Sequence, residues 1–390
     1  MKLLQINTAG GRGASGGIPE TLHRMALKRD IDARMIIGRG EESPMRVRIG
    51  DMSSAAIHLL ATRLFDRHGL HSVLATRSLI SYIERFDPDI IHLHNIHGYY
   101  LHYPTLMQWL RGARKPVVWT LHDCWPFTGH CAFPVSANCT RYMEGCYDCP
   151  LRRQYPSTWF VDRSRANYRQ KRQAFSGLTG VMVVPVGEWI ADTLRGSFMS
   201  YLPHSIVRNG INLDDFRPIG TKSATPLVLG VASKWDDRKG LNDFIRLREK
   251  LPEQWRIRLI GLTPRQIRNL PQGIEGVGRI NDPEELARNY SAATVFVNPT
   301  KGEGDPITKM EALACGTPVV TYDAGGAKEG IEEGAGIVVP HGNFDRLVEA
   351  VMNCHCDPAF CRGIAEKSFD MRTNLEGYFK LYAELSGIKI

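Results

Sequence analysis

No stretch of this 390-residue chain holds the roughly 18 or more consecutive apolar residues that a membrane-spanning helix needs, so any membrane contact is expected to be peripheral. Met1-Lys-Leu-Leu-Gln-Ile-Asn offers only a short apolar run before glycines intervene. It lacks the apolar core and small-residue cleavage site of a signal peptide and reads as a buried strand. Solenoid-length repeats and low-complexity tracts are absent. So are the zinc-finger, RNP-like and basic-zipper patterns that would direct a basic chain to nucleic acid. What the chain does have is an excess of positive charge, 49 Lys+Arg against 41 Asp+Glu for a formal +8. The cations are dispersed, which suits anions in general: nucleotide phosphates, acidic glycans or anionic lipid headgroups, with no nucleic acid expected.

Hydrophobic residues make up 43% and charged residues 23%, an ordinary globular balance, and the length suggests two domains. Short apolar runs at Leu3–Ile6, Ala33–Ile37, Ile90–Leu93, Val117–Leu121 and Val181–Val184 read as parallel strands. Segments such as Gly17–Lys28 and Ser53–Arg67 carry helical spacing between them. A second series begins at Leu227 and continues through Arg258, Val295–Val297 and Pro318–Thr321. Turn formers crowd Phe216–Pro226, where the interdomain linker is expected. The fold class predicted is α/β, two doubly wound parallel sheets facing across a cleft, with ligands beyond the carboxyl ends of the strands.

Motifs fall where that architecture wants them. Gly10-Gly-Arg-Gly-Ala-Ser-Gly-Gly follows the first strand; Gly11, Gly13 and Gly16 satisfy G-x-G-x-x-G, and Gly16 and Gly17 open a helix whose amides can meet an anion. A plain glycine turn explains it about as well, because no acid follows the second strand to hold a ribose. His92, His94 and His97 lie around a strand end, where hydrogen bonding in a polar wall is preferred to metal binding. His122-Asp123 ends another strand and places an imidazole for hydrogen bonding or proton transfer.

Nine cysteines are present, several of them single, as reduced thiols in a cytosolic protein are, but five gather between Cys124 and Cys149. Cys131, Cys139, Cys146 and Cys149 could hold a structural zinc in that loop-like insertion, with reduced buried thiols as the alternative. No metal is expected at the active site.

In the second half Lys234, Arg238, Lys239 and Gly240 follow a strand and precede a helix, a cationic site suited to a diphosphate. Glu303-Gly304-Asp305-Pro306-Ile307-Thr308 then leads into Glu311, with a helix expected to start around Pro306. One carboxylate can hold sugar hydroxyls while the other takes a ribose diol.

Taken together, Glu303 and Glu311 continuing into Ala-Leu-Ala-Cys-Gly-Thr-Pro-Val-Val, Lys239-Gly240, Asn209-Gly-Ile, Gly16-Gly17 and His122 resemble the retaining GT-B glycosyltransferases of family 4, along nearly the whole chain. Thr120-Leu-His-Asp-Cys-Trp-Pro-Phe and the later Gly145-Cys-Tyr-Asp-Cys-Pro are similar to the branch that makes colanic-acid-type polysaccharides. The resemblance implies an amino-terminal acceptor-side domain (1–216, with the cysteine-rich insertion at about 124–150), a carboxy-terminal nucleotide-sugar domain (225–370), and a last helix (371–390) that returns to the first domain. It implies transfer of a hexose with retention from a UDP- or GDP-sugar to a glycan or lipid-linked saccharide, without a catalytic cofactor. Glu303 would position the sugar, Glu311 the ribose, Arg238 and Lys239 the diphosphate, and His122 would line the sugar site. Many relatives carry arginine where Lys234 stands, which leaves open whether Lys234 or Arg238 gives the second phosphate contact. The location implied is the cytoplasm, with peripheral contact at the inner face of an anionic membrane. A nucleotide-sugar epimerase and a non-catalytic glycan-binding scaffold are the competing readings.

Overall fold

The structure, a computed structural model, describes residues 1–11, 16–331 and 334–389. Gly13 of the glycine-rich turn lies outside them. The chain divides into two compact units, Met1–Val207 with the residues from Glu376 onward, and Arg208–Leu375.

The amino-terminal unit is built on six strands: β1 (Lys2–Ala9), β2 (Asp32–Arg39), β3 (Arg46–Arg48), β4 (Ile90–Leu93), β5 (Val117–Leu121) and β6 (Val181–Pro185). They pair in the order β3-β2-β1-β4-β5-β6, every pair parallel. Helices cover both faces of a doubly wound parallel sheet, so β4 and β5 are buried at every residue and are largely apolar, with His92 and Thr120 the polar exceptions.

The carboxy-terminal unit has β7 (Leu227–Val231), β8 (Arg256–Ile260), β9 (Ile274–Val277), β10 (Val295–Asn298), β11 (Val319–Tyr322) and β12 (Gly336–Val339) in the order β12-β11-β10-β7-β8-β9, again all parallel. Each sheet thus runs outward in both directions from a central pair, β1 with β4 and β7 with β10. At such a switch point neighbouring connections leave in opposite directions and open a crevice above the strand ends.

The turn-rich segment expected as the linker is fastened to the carboxy-terminal unit. Lys222 Nζ donates to the carbonyls of Ala293 and Gly316, at 2.8 and 3.0 Å, and Ser223 N donates to Ala292 O at 2.9 Å. The division between units falls instead between Val207 and Arg208. The helix Met371–Ser386 passes back at Leu375/Glu376, and on the amino-terminal unit the Tyr382 hydroxyl lies 2.6 Å from His92 Nδ1.

Candidate functional site

In the carboxy-terminal unit the loops after β7 and β10 carry the predicted residues, both at the switch point. After β7, Asp236 accepts from Lys239 N at 3.1 Å and caps the short turn Asp237–Lys239. Gly240 follows at φ +74°, and a Cβ there would lie 2.4 Å from Pro299 O. Only glycine satisfies both the left-handed backbone and that approach, so the turn is pinned against the β10 loop and its cations face Glu303.

Glu303 is the centre of the arrangement. Its Oε1 accepts from Arg238 Nη1 at 2.8 Å and is ion-paired to Lys239 Nζ, and its side chain is only 12% exposed. Burial opposes ionisation, but the Lys239 and Arg238 charges overturn it and bring the carboxyl down to about 2. The second cation on Glu303 is therefore Arg238; Lys234 is exposed on the preceding loop. Glu303 also pairs with Gly325 across a parallel bridge, and Gly326 N donates to Glu303 O at 2.9 Å. A Cβ on Gly326 would come within 1.6 Å of Gly304 O, which explains the Gly-Gly after β11.

The helix Ile307–Ala314 starts after Pro306, as the proline predicts, with Ile307 and Thr308 in its first turn. Glu311 lies inside it and accepts from the Tyr290 hydroxyl at 2.7 Å; burial raises its carboxyl to about 7 against that hydrogen bond. Two further residues emerge that the motif reading passes over. Lys309 is fully buried, pairs with Asp305 at 3.1 Å and donates to Gly326 O at 2.7 Å. It ties the glutamate loop to the β11 loop. Burial raises the Asp305 carboxyl and lowers the Lys309 ammonium, each against the pull of the other. The i,i+4 spacing of this pair is a signal the sequence does carry; Tyr290, 21 positions from Glu311, leaves none.

In the amino-terminal unit Gly16 and Gly17 begin the helix Gly17–Leu27, and a Cβ on Gly16 would lie 2.4 Å from Gly11 O. His122 follows β5, with its Nε2 3.4 Å from His94 Nδ1. Burial lowers the imidazole to about 4, the Asp123 carboxylate opposing, so it is neutral near pH 7. His92 and His94 form a hydrogen-bonded wall: His92 Nε2 meets Thr120 Oγ1 at 2.8 Å, and His94 Nε2 meets Gln5 Oε1 at 3.0 Å. His97 Nε2 lies 3.1 Å from Asp123.

Cys131, Cys139, Cys146 and Cys149 line one small pocket. Yet among the described residues no three or more His, Cys, Asp or Glu side chains are grouped so as to hold a metal ion. Cys146 Sγ accepts from Gly129 N at 3.2 Å, and the Cys131 thiol hydrogen-bonds Cys149, which lowers Cys149 to about 7. Cys356, missed as a thiol of note, lies 3.1 Å from Cys361.

Two parallel six-stranded sheets of this order are the plan of the GT-B glycosyltransferases. Solved structures agree on the fold: sucrose-phosphate synthase from Thermosynechococcus elongatus (TM-score 0.73, 19% identity, 98% of each chain covered) and Anabaena HepE in complex with UDP-glucose (TM-score 0.66, 17% identity, 98% of this chain and 100% of that one). The family model described as Glycosyltransferase Family 4 matches residues 20–215, and that of Glycosyl transferases group 1 matches residues 225–357. The chain belongs to glycosyltransferase family 4. It is 24% identical, over 99% of its length and 100% of the relative's, to the colanic acid biosynthesis glycosyl transferase WcaC of Escherichia coli (strain K12).

Proposed function

We propose that this glycosyltransferase moves a hexose, with retention and without a catalytic metal, from a nucleotide diphosphate sugar to a glycan or lipid-linked saccharide in the assembly of an exopolysaccharide, capsule or lipopolysaccharide. The observation that carries the reading is the carboxylate of Glu303 held between Arg238 and Lys239 at the β7/β10 switch point. Two cations fixed there match a leaving diphosphate, whose negative charge grows as the glycosidic bond breaks, and they need no reorganisation as it does so. Glu303 positions the donor sugar through its hydroxyls. Glu311 takes the ribose diol, and the neutral His122 hydrogen-bonds the transferred sugar. The diphosphate itself assists removal of the acceptor proton. UDP is the preferred nucleotide, in line with the UDP-glucose of HepE, with GDP the alternative. The polysaccharide role follows the name of the WcaC relative, and the cytoplasm is the compartment proposed, with peripheral contact at the inner membrane face.

Steady-state transfer and nucleotide titration test these roles together. Lys239→Ala is expected to lower kcat by about 10²-fold or more, the scale of removing one fixed charge-stabilising group. Glu311→Ala should chiefly weaken nucleotide binding, by about tenfold. Near-wild-type transfer by both variants would refute the assignment, and donor consumption with inversion at the anomeric carbon would refute retention. An epimerase would instead convert the nucleotide sugar with no acceptor present.

A further inference from the structure

The helix Ser164–Phe175 carries Arg165, Arg169, Lys171 and Arg172 and no acid. Lys171 is turned inward, where its ammonium donates to Trp125 O at 2.6 Å and Thr128 O at 2.9 Å. Arg165, Arg169 and Arg172 stand at i, i+4 and i+7, the spacing of one helix face, and all three are exposed. None of them has an ion pair or a side-chain hydrogen bond among the described residues. Three other helices answer an exposed arginine with an acid one turn away: Arg195 with Asp192, Arg288 with Glu284 and Arg346 with Glu349. Like charges at i,i+4 are mildly destabilising, so this row is positive charge that the fold leaves unanswered.

The row lines a recess. With Glu144, Gly145 and Tyr147 of the cysteine-rich insertion it walls a cavity of about 340 Å³, at the lower end of the range usual for small-ligand sites. Tyr147 is fixed there by Arg141, which donates to its carbonyl at 2.8 Å and lies over its ring, and the Arg165 guanidinium stands 5.5 Å from the same ring centre. A Cβ on Gly145 would meet nothing within 4 Å, so no side chain fills that corner.

The acids near by decide which anion fits. Asp162 accepts from Cys149 N and Ser164 N, and Asp148 does not line the cavity, which leaves Glu144 as the one acid on its wall. Glu144 pairs with none of the three arginines; its carboxylate repels a bare anion and accepts hydrogen bonds from hydroxyls. No aliphatic side chain lines the cavity, whereas a surface that docks on a bilayer presents apolar side chains to the acyl boundary. A sugar bearing carboxylate or phosphate groups meets both demands: the guanidinium forks take its anionic oxygens in pairs, and Glu144 takes its hydroxyls. We infer that Arg165, Arg169 and Arg172 with Glu144 and Tyr147 form a binding site for an acidic saccharide. None of the residues given roles on the donor lines it. The inference rests on the proposed function for its purpose, holding a negatively charged acceptor, while the site is argued from its own side chains.

Titration calorimetry of the full chain tests it, with trigalacturonate as the carboxylated probe, glucose 6-phosphate as the phosphorylated one, and maltotriose and inorganic phosphate as neutral sugar and bare anion. An acidic sugar is expected to bind, and less tightly as salt is added. An Arg169→Gln, Arg172→Gln double variant should bind it roughly tenfold less, the loss of two charge-assisted contacts discounted for their exposure. Its melting temperature and nucleotide affinity should match wild type, since neither arginine has a partner to lose. Glu144→Ala should weaken the acidic sugar and strengthen inorganic phosphate; a gain for both would mean a bare-anion site and overturn the inference. Equal binding of the acidic sugar by wild type and double variant, binding of neither acidic probe, or maltotriose bound as tightly, would overturn it too. So would capture of phosphatidylglycerol vesicles through these arginines while the sugars are ignored. Acidic-sugar binding with no transfer from any nucleotide sugar would sink the proposed function and leave this site standing.

Discussion

Glutamine at position 303 would keep the shape of the side chain and remove the charge that Arg238 and Lys239 share. The two cations are 23% and 17% exposed, so the loss is discounted from that of a fully buried pair to about 1–3 kcal/mol. The same change frees both cations for a diphosphate. Glu303→Gln is therefore expected to melt below wild type without ligand and to gain more from saturating UDP than wild type does, as differential scanning fluorimetry would read. A smaller gain would mean that Glu303 helps to hold the nucleotide rather than competing for its cations. Glu311 supplies a second test, through pH. Its carboxyl, raised by burial from 4.5 to about 7, is protonated in much of the population at pH 6 and ionised at pH 8. A carboxylate accepts hydrogen bonds from a diol better than a carboxylic acid does, so nucleotide affinity should rise as pH climbs through about 7. In Glu311→Gln, titration calorimetry should find that rise gone.

At the scale of elements, the glutamate loop owes its place to a lysine between the two signature glutamates. Lys309 reaches from the helix Ile307–Ala314 to Gly326 O and Asp305, both buried with it. Lys309→Met leaves the Asp305 charge without its partner, and removing one side of a buried pair typically costs about 3–5 kcal/mol. Urea unfolding should show that loss; a change under about 1 kcal/mol would mean that Asp305 takes its proton at little cost. How far such details can be read in advance depends on where they sit. The central strands β4, β5, β7 and β10 are legible because both faces are covered, which makes them mostly apolar. β3, β9 and β12 are not: they flank the sheets, are short and partly exposed, and carry charge or glycine, as Arg46-Val-Arg and Gly336-Ile-Val-Val show. Glu303, Glu311, Lys239 and Gly240 stand out in the sequence because they recur at the offsets of a known family signature. Tyr290 meets Glu311 only because folding brings their segments together, so no spacing announces it.

At the scale of the molecule, the division at Val207/Arg208 makes the amino-terminal unit discontinuous in sequence. Its interior includes Tyr378 and Tyr382, whose hydroxyls meet Thr120 at 2.9 Å and His92 at 2.6 Å. Ending the chain at Leu375 would leave His92 and Thr120 without these partners and uncover the apolar surface beneath them. The shortened protein should lose several kcal/mol in the melting of the first unit, on the scale of two large aromatic side chains, while residues 208–375 retain their own transition in calorimetry. A single unshifted transition would show that the last helix contributes no more than a loose cover.

Chain order then imposes an order of assembly. The stretch that finishes the first sheet's casing is supplied only after every residue of the second unit has been laid down. A nascent chain halted between the two would display the apolar surface that Tyr378 and Tyr382 later cover, a transient foothold for chaperones.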